Sequence, residues 1–157
     1  MNAHARIFVF AVLFSIAQVS MASSREQTAA EFVQRQQLGN NLKMLGIATA
    51  QKTQTFAMMA SRLGQTEAQH MVSKELDAYA DQYQGLWNAN LAKIYARHFT
   101  AEELASLVTQ GRTSPFIGKL MEKQRIIGYE MQQLSTPLLT DYVSAAMNSA
   151  FAKFSKK

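Results

Sequence analysis

Apolar residues recur at three- and four-residue spacing along most of this chain, and no stretch shows the two-residue alternation of a half-buried strand. Val72, Leu76, Tyr79, Tyr83, Trp87, Leu91 and Ile94 make the strongest stripe, which predicts a helix from Thr66 to His98. Run straight, that helix would be about 50 Å long at 1.5 Å per residue, more than a compact domain of this size is wide, so a bend is expected at Gly85. Leu42, Leu45, Ala48, Phe56, Met59 and Leu63 predict an earlier helix between the Gly39-Asn40-Asn41 turn and Gly64, weakened by the polar interval Gln51 to Thr55. A helix from Ser24 to about Leu38 precedes it. Leu104, Leu107 and Val108 predict a short helix ending near Gly111. Leu120, Ile127, Met131 and Leu134 then start a last apolar face, and Leu138, Tyr142, Met147, Phe151 and Phe154 carry it to the C-terminus.

Helix starts are marked by Ser or Thr followed three residues later by Glu or Gln, a spacing that satisfies free amides reciprocally. Ser24 with Gln27, Thr66 with Gln69 and Thr100 with Glu103 fit it. Ser114 is placed as a cap with Pro115 at the first helical position, where a missing N–H costs nothing. Pro137 removes an amide inside the last helix, so a kink or break is expected there. The fold class expected is all-α, a small bundle of about five helices.

Met1 to Ala22 read as a secretory signal peptide: Arg6 near the start, an apolar run from Ile7 to Val19 broken only by Ser15 and Gln18, and a small-x-small exit at Ser20-Met21-Ala22. The run is shorter than the ~20 residues a membrane span requires. Cleavage near Ala22 is expected, leaving residues 23–157 as a single all-α domain in the periplasm or secreted.

The formal charge of +5 includes Arg6, so the mature chain carries +4, an ordinary surface. Lys153, Lys156 and Lys157 are its one compact basic cluster, which gives no reason to expect a nucleic-acid partner. With no cysteine, disulfides, thiolate metal sites and a cysteine nucleophile are excluded. His70 and His98 are the only histidines after Ala22, without metal-ligand spacing. Methionines are many but scattered, and they read as core filler more readily than as copper ligands. No metal and no cofactor is expected.

Tyr95-Ala-Arg-His-Phe-Thr-Ala-Glu-Glu-Leu104, followed by Ser114-Pro-Phe-Ile-Gly-Lys-Leu120, resembles the bacterial exported proteins grouped as the domain of unknown function 2059 family. The likeness rests on Phe99, Thr100, Glu103, Leu104, Ser114, Pro115 and Lys119 and covers residues 86–143. Two departures stand out. Gly111 and Arg112 replace an aromatic pair ahead of Ser-Pro, and Gly118 falls three residues after the proline, where the family has its glycine two after. The resemblance implies a helical, envelope-located domain and carries over no catalytic residue.

Catalysis needs acid and base groups converging on one bond. Glu102 and Glu103 are adjacent, hence about 100° apart on a helix, and Glu103 already has a capping task. His98 could pair with Glu102 four residues on, or sit at a helix end where the dipole favours its charge. Tyr79, Tyr83 and Trp87 read as a buried seam before a stacking surface. Phe151, Lys153 and Phe154 are the remaining binding candidates. If their helix packs on the others it is a core element; if it stands free it can take a partner or an anionic membrane surface. The expected function is a non-catalytic interaction module for a protein or envelope component. The alternatives are a cell-wall or polysaccharide-acting enzyme with an unfamiliar site, and peripheral membrane association through the basic C-terminal helix. A leftover apolar stripe would also allow a homo-oligomer.

Overall fold

The two longest apolar stripes pack on each other as antiparallel helices. The structure, a computed structural model, describes residues 24–156; the leader expected over Met1 to Ala22 lies outside them, as does Lys157. Within these residues the chain is all-α, with no strand. Its helices are α1 (24–35), α2 (Leu42–Ala50), α3 (Gln54–Leu63), α4 (Gln65–His98), α5 (Ala101–Gln110) and α6 (Ile117–Phe154), with a 3-10 turn at Gly111–Thr113. The order of contacts sets the direction of α4 and α6. His98 meets Glu130, Asn90 meets Ser135, Leu76 meets Tyr142, and Glu75 meets Ser149 and Lys153. Helices α2 and α3 pack on both. Helix α1 joins through Phe32, whose ring stands edge-on 5.0 Å from that of Tyr95. Leu42, Met59, Leu76, Ile94 and Tyr142 are fully buried where these faces meet.

Among the described residues six helices stand where about five were expected, because the second predicted helix divides. The Thr53 hydroxyl donates to the last carbonyl of α2, Ala50 O, at 2.7 Å and accepts from Phe56 N at 3.1 Å, so one side chain closes α2 and caps α3. The cap expected at Thr66 is instead supplied by Gly64, at φ 86 and ψ 155, a conformation that disfavours a side chain, and Thr66 is already helical. Ser24 is likewise inside α1, its carbonyl accepting from Thr28 Oγ1.

Neither long helix breaks at these positions. Helix α4 runs unbroken through Gly85, which is exposed. The ~1 kcal/mol propensity cost of a glycine is small beside the burial of Leu76, Trp87 and Leu91 on either side of it. Helix α6 contains Pro137. Pro137 and Gln133 are both exposed, so the carbonyl that lost its donor faces water, and the helix continues.

Helix α1 stops at residue 35, short of Leu38. Leu38 N donates to Val33 O and Gln37 N to Gln34 O, both at 3.1 Å, the bond pair of a Schellman ending with Gln37 in the left-handed position at φ 52. A glutamine there costs about 1 kcal/mol that glycine does not. Gln37→Gly is therefore expected to raise stability by about 0.5–1 kcal/mol, less than the full strain because glycine also gains freedom when unfolded. Chemical denaturation measures it, and a lower midpoint would show that the Gln37 side chain contributes more than its backbone costs.

Candidate functional site

The residues carrying the family resemblance lie together at the α4–α5–α6 corner, and they are consumed in holding it. Thr100 caps α5 by accepting from Glu103 N at 3.2 Å, while Glu103 Oε2 accepts from Thr100 N at 2.9 Å. Lys119 Nζ reaches the same carboxylate at 2.6 and 2.8 Å and lies 4.9 Å from the centre of the Phe99 ring. Burial pushes Glu103 toward the protonated form, but the bonds from Lys119 and the Thr100 amide prevail and hold it below the ordinary carboxylate value. Leu104 is fully buried beneath.

Ser114 and Pro115 act differently from expectation. Helix α6 begins at Ile117, so Pro115 is not its first residue. It occupies the second position of a tight turn closed by Ile117 N to Ser114 O at 3.1 Å, with Phe116 at φ −94 and ψ 3, the third position of a type I turn. Buried Ser114 Oγ accepts from Phe116 N at 3.2 Å and lies 2.9 Å from Ser106 Oγ, tying α5 to this turn.

His98 finds its partner across the bundle. Its Nε2 lies 2.8 Å from Glu130 Oε1, and Arg97 Nη1 lies 3.4 Å from the other oxygen. Glu102 is fully exposed, held below its ordinary value by its own backbone amide and then by Thr100. Asp141, a further carboxylate on α6, stands about 16 Å along that helix from Glu130 at 1.5 Å per residue. His98, Glu102 and Asp141 therefore do not converge. At the C-terminal end Phe154 is buried under Arg62, whose guanidinium lies 5.8 Å from the ring centre, and Lys153 binds Glu75 at 2.6 Å. Phe151 is exposed at the edge of this packed end, 5.9 Å from Phe154. The apolar stripe of α6 is a core element, and no helix among the described residues is long and apolar enough to cross a membrane.

A half-open groove of about 520 Å³ runs between the start of α2, the second half of α4 and the middle of α6. Trp87, Leu91, Ile127 and Met131 are buried side chains on its floor, and Leu45 and Leu139 flank them. Its rim on α6 is Gln124, Gly128, Gln132 and Thr136, exposed residues four apart on one row. The polar atoms at the floor are already engaged. Trp87 Nε1 donates to Asn41 Oδ1 at 3.1 Å, and Ser135 Oγ accepts from Asn90 Nδ2 at 3.0 Å and donates to the Met131 sulfur at 3.3 Å. Tyr95 is the single ionisable side chain among the described residues lining the groove. Burial pushes its phenol up, so it is neutral at pH 7. Such a surface can hold an apolar group and offers no acid–base pair.

Sequence reasoning did not identify this groove. The available signal was the uncharged row Gln124, Gly128, Gln132 and Thr136, in a helix whose other exposed positions include Glu122 and Arg125. At Gly128, as at Gly85 and Gly118, a Cβ would meet nothing within 4 Å, so packing within the chain does not require a glycine, but Gly128 alone of these three lies on the groove's rim. No family model, curated protein or solved structure matches this chain.

Proposed function

We propose that this chain is an exported periplasmic protein acting as a non-catalytic binding module, with the α2–α4–α6 groove as the seat of an apolar ligand group from a protein or envelope component. The observation carrying the reading is the groove's chemistry: apolar floor, internally satisfied polar atoms, and no titratable pair. Pockets of this size lined mainly by apolar side chains are the usual form of small-ligand sites. The leader-like start and the resemblance over residues 86–143 support the location.

The test uses protein recovered from the periplasm, which should begin at Ser23, and the neutral dye Nile red. Saturable fluorescence enhancement is expected with the wild type and lost with Gly128→Trp. That substitution has open space at Cβ and exchanges glycine for a better helix former, so its melting temperature should not fall. Dye binding that survives the substitution would refute the groove as the site, and recovery of protein still carrying Met1 to Ala22 would refute the location.

A further inference from the structure

The groove has a neighbour beyond Tyr95. A second hollow of about 150 Å³, walled by Phe32, Leu107, Ile117 and Leu120, shares Leu38, Tyr95 and Gln124 with the first, so the two adjoin at a neck. From Leu139 to Ile117 the track follows α6 for about 33 Å at 1.5 Å per residue. Gly111 and Arg112, at the α5–α6 connection, border the second hollow. Arg112 is exposed, and none of the ion pairs among the described residues engages it. The larger groove has no charged residue among its described lining. Together the two adjoining hollows line α6 with mainly apolar, uncharged side chains, and one uncommitted cation stands at one end.

Size and hydrogen bonding narrow the occupant. An α-helix with side chains is about 10 Å across. A 150 Å³ hollow holds the volume of about five waters, so it admits a single hydrocarbon chain and not a helix. With Trp87, Asn90 and Ser135 already paired, the floor has few donors left, and the rim carboxamides of Gln124 and Gln132 stand on one side of the groove only. One guanidinium, unsupported by a second cation in the lining, matches a singly charged head group, of which a carboxylate is the smallest that can pair with it through two oxygens.

Resting on the groove reading above, we infer that the ligand is a long-chain fatty acid, its chain lying along α6 over Leu91, Ile127 and Met131 and its carboxylate at Arg112. The missing side chain at Gly128 has its purpose here, since it notches the rim between Gln124 and Gln132 where a chain enters. Gly85 and Gly118 are equally uncrowded but lie outside the track.

Displacement of dansylaminoundecanoate from the delipidated full-length mature protein tests the assignment, with oleate, oleyl alcohol and lysophosphatidylglycerol as competitors. Oleate should displace the probe at one site per chain and bind about fivefold more tightly than oleyl alcohol, the scale of one partly exposed ion pair. Arg112→Ala should remove that difference while leaving oleyl alcohol unchanged, and Gly128→Trp should weaken every competitor. Equal binding of oleate and oleyl alcohol to the wild type would overturn the assignment of the head group. Preference for lysophosphatidylglycerol over oleate would overturn the fatty acid in favour of a phospholipid. Absence of all acyl binding, with Nile red still bound in a Gly128-dependent way, would overturn this inference and leave the binding module standing. Loss of both would remove both.

Discussion

The Gly46→Val protein is expected to unfold with a free energy lower by about 3 kcal/mol, seen as a lower denaturant midpoint at unchanged slope. Gly46 shares the buried face of α2 with Leu42 and Ala50. A Cβ at this position would lie 3.0 Å from Tyr142 Cε1 and 3.1 Å from Leu76 Cδ2. Carbon atoms prefer about 3.5–4.0 Å, so one of the three residues must move. Tyr142 cannot yield freely, because it is fully buried and its hydroxyl donates to Leu76 O at 2.8 Å. Breaking that bond would strand a buried phenol whose burial already pushes its pKa up to about 12. Gly46→Ala sets a helix-propensity gain of about 1 kcal/mol against the same close contact and should come out near neutral. Valine adds two further carbons with no added gain. Since α2 also carries Leu45 into the groove wall, Gly46→Val should weaken dye binding along with stability. A loss under about 0.5 kcal/mol would mean that α2 can lift from α4 and α6 at little cost, against the close packing described.

Lys153→Met is expected to cost about 2 kcal/mol at pH 7, well above an exposed ion pair. Lys153 is 58% exposed, but its partner Glu75 is only 5% exposed, so removing the lysine strands a carboxylate inside the bundle. Lys153 is the main cause holding Glu75 below its ordinary value of 4.5; burial opposes it, and Ser149, donating at 2.7 Å, adds to it. A folded value below the unfolded one means stability that is present above pH 4.5 and lost as pH falls through the folded value. Without Lys153 the burial cost is opposed only by Ser149 and Lys74, so the folded value rises and protonation costs the variant less than it costs the wild type. The difference between the two proteins should therefore shrink between about pH 7 and pH 4, while Glu75→Gln removes the pH-dependent part. Urea melts across that range decide it. A difference that stays constant with pH would show that Glu75 does not sense the lysine.

Local rules were legible where the bonds they describe span three or four residues. The Thr100–Glu103 cap and the stop of α5 at Gly111 depend on neighbours in sequence, and both lie where the spacing places them. The same local logic misled at His98, whose nearest acid in sequence is Glu102 but whose partner is Glu130 on another helix. At Pro137 the break that local chemistry allowed does not form, and α4 likewise runs on through Gly85, because intrinsic helix-breaking tendencies of a few kcal/mol met long apolar faces buried on both sides. Thr53 shows the reverse. The polar interval around it warned of a weak place, but only the doubly used hydroxyl turns that weakness into a boundary between two helices.

The sequence by itself determined that the chain is helical and which side of each helix is apolar, because both follow from the 3.6-residue period and from caps closed within one turn. Tertiary structure alone decided which faces meet. Glu75 with Lys153, Tyr142 with Leu76, and the groove left open between Trp87 and Gly128 join residues tens of positions apart. Their pairing depends on the combined burial and close packing of all the helices at once, and a groove is what remains when those faces do not fully cover one another.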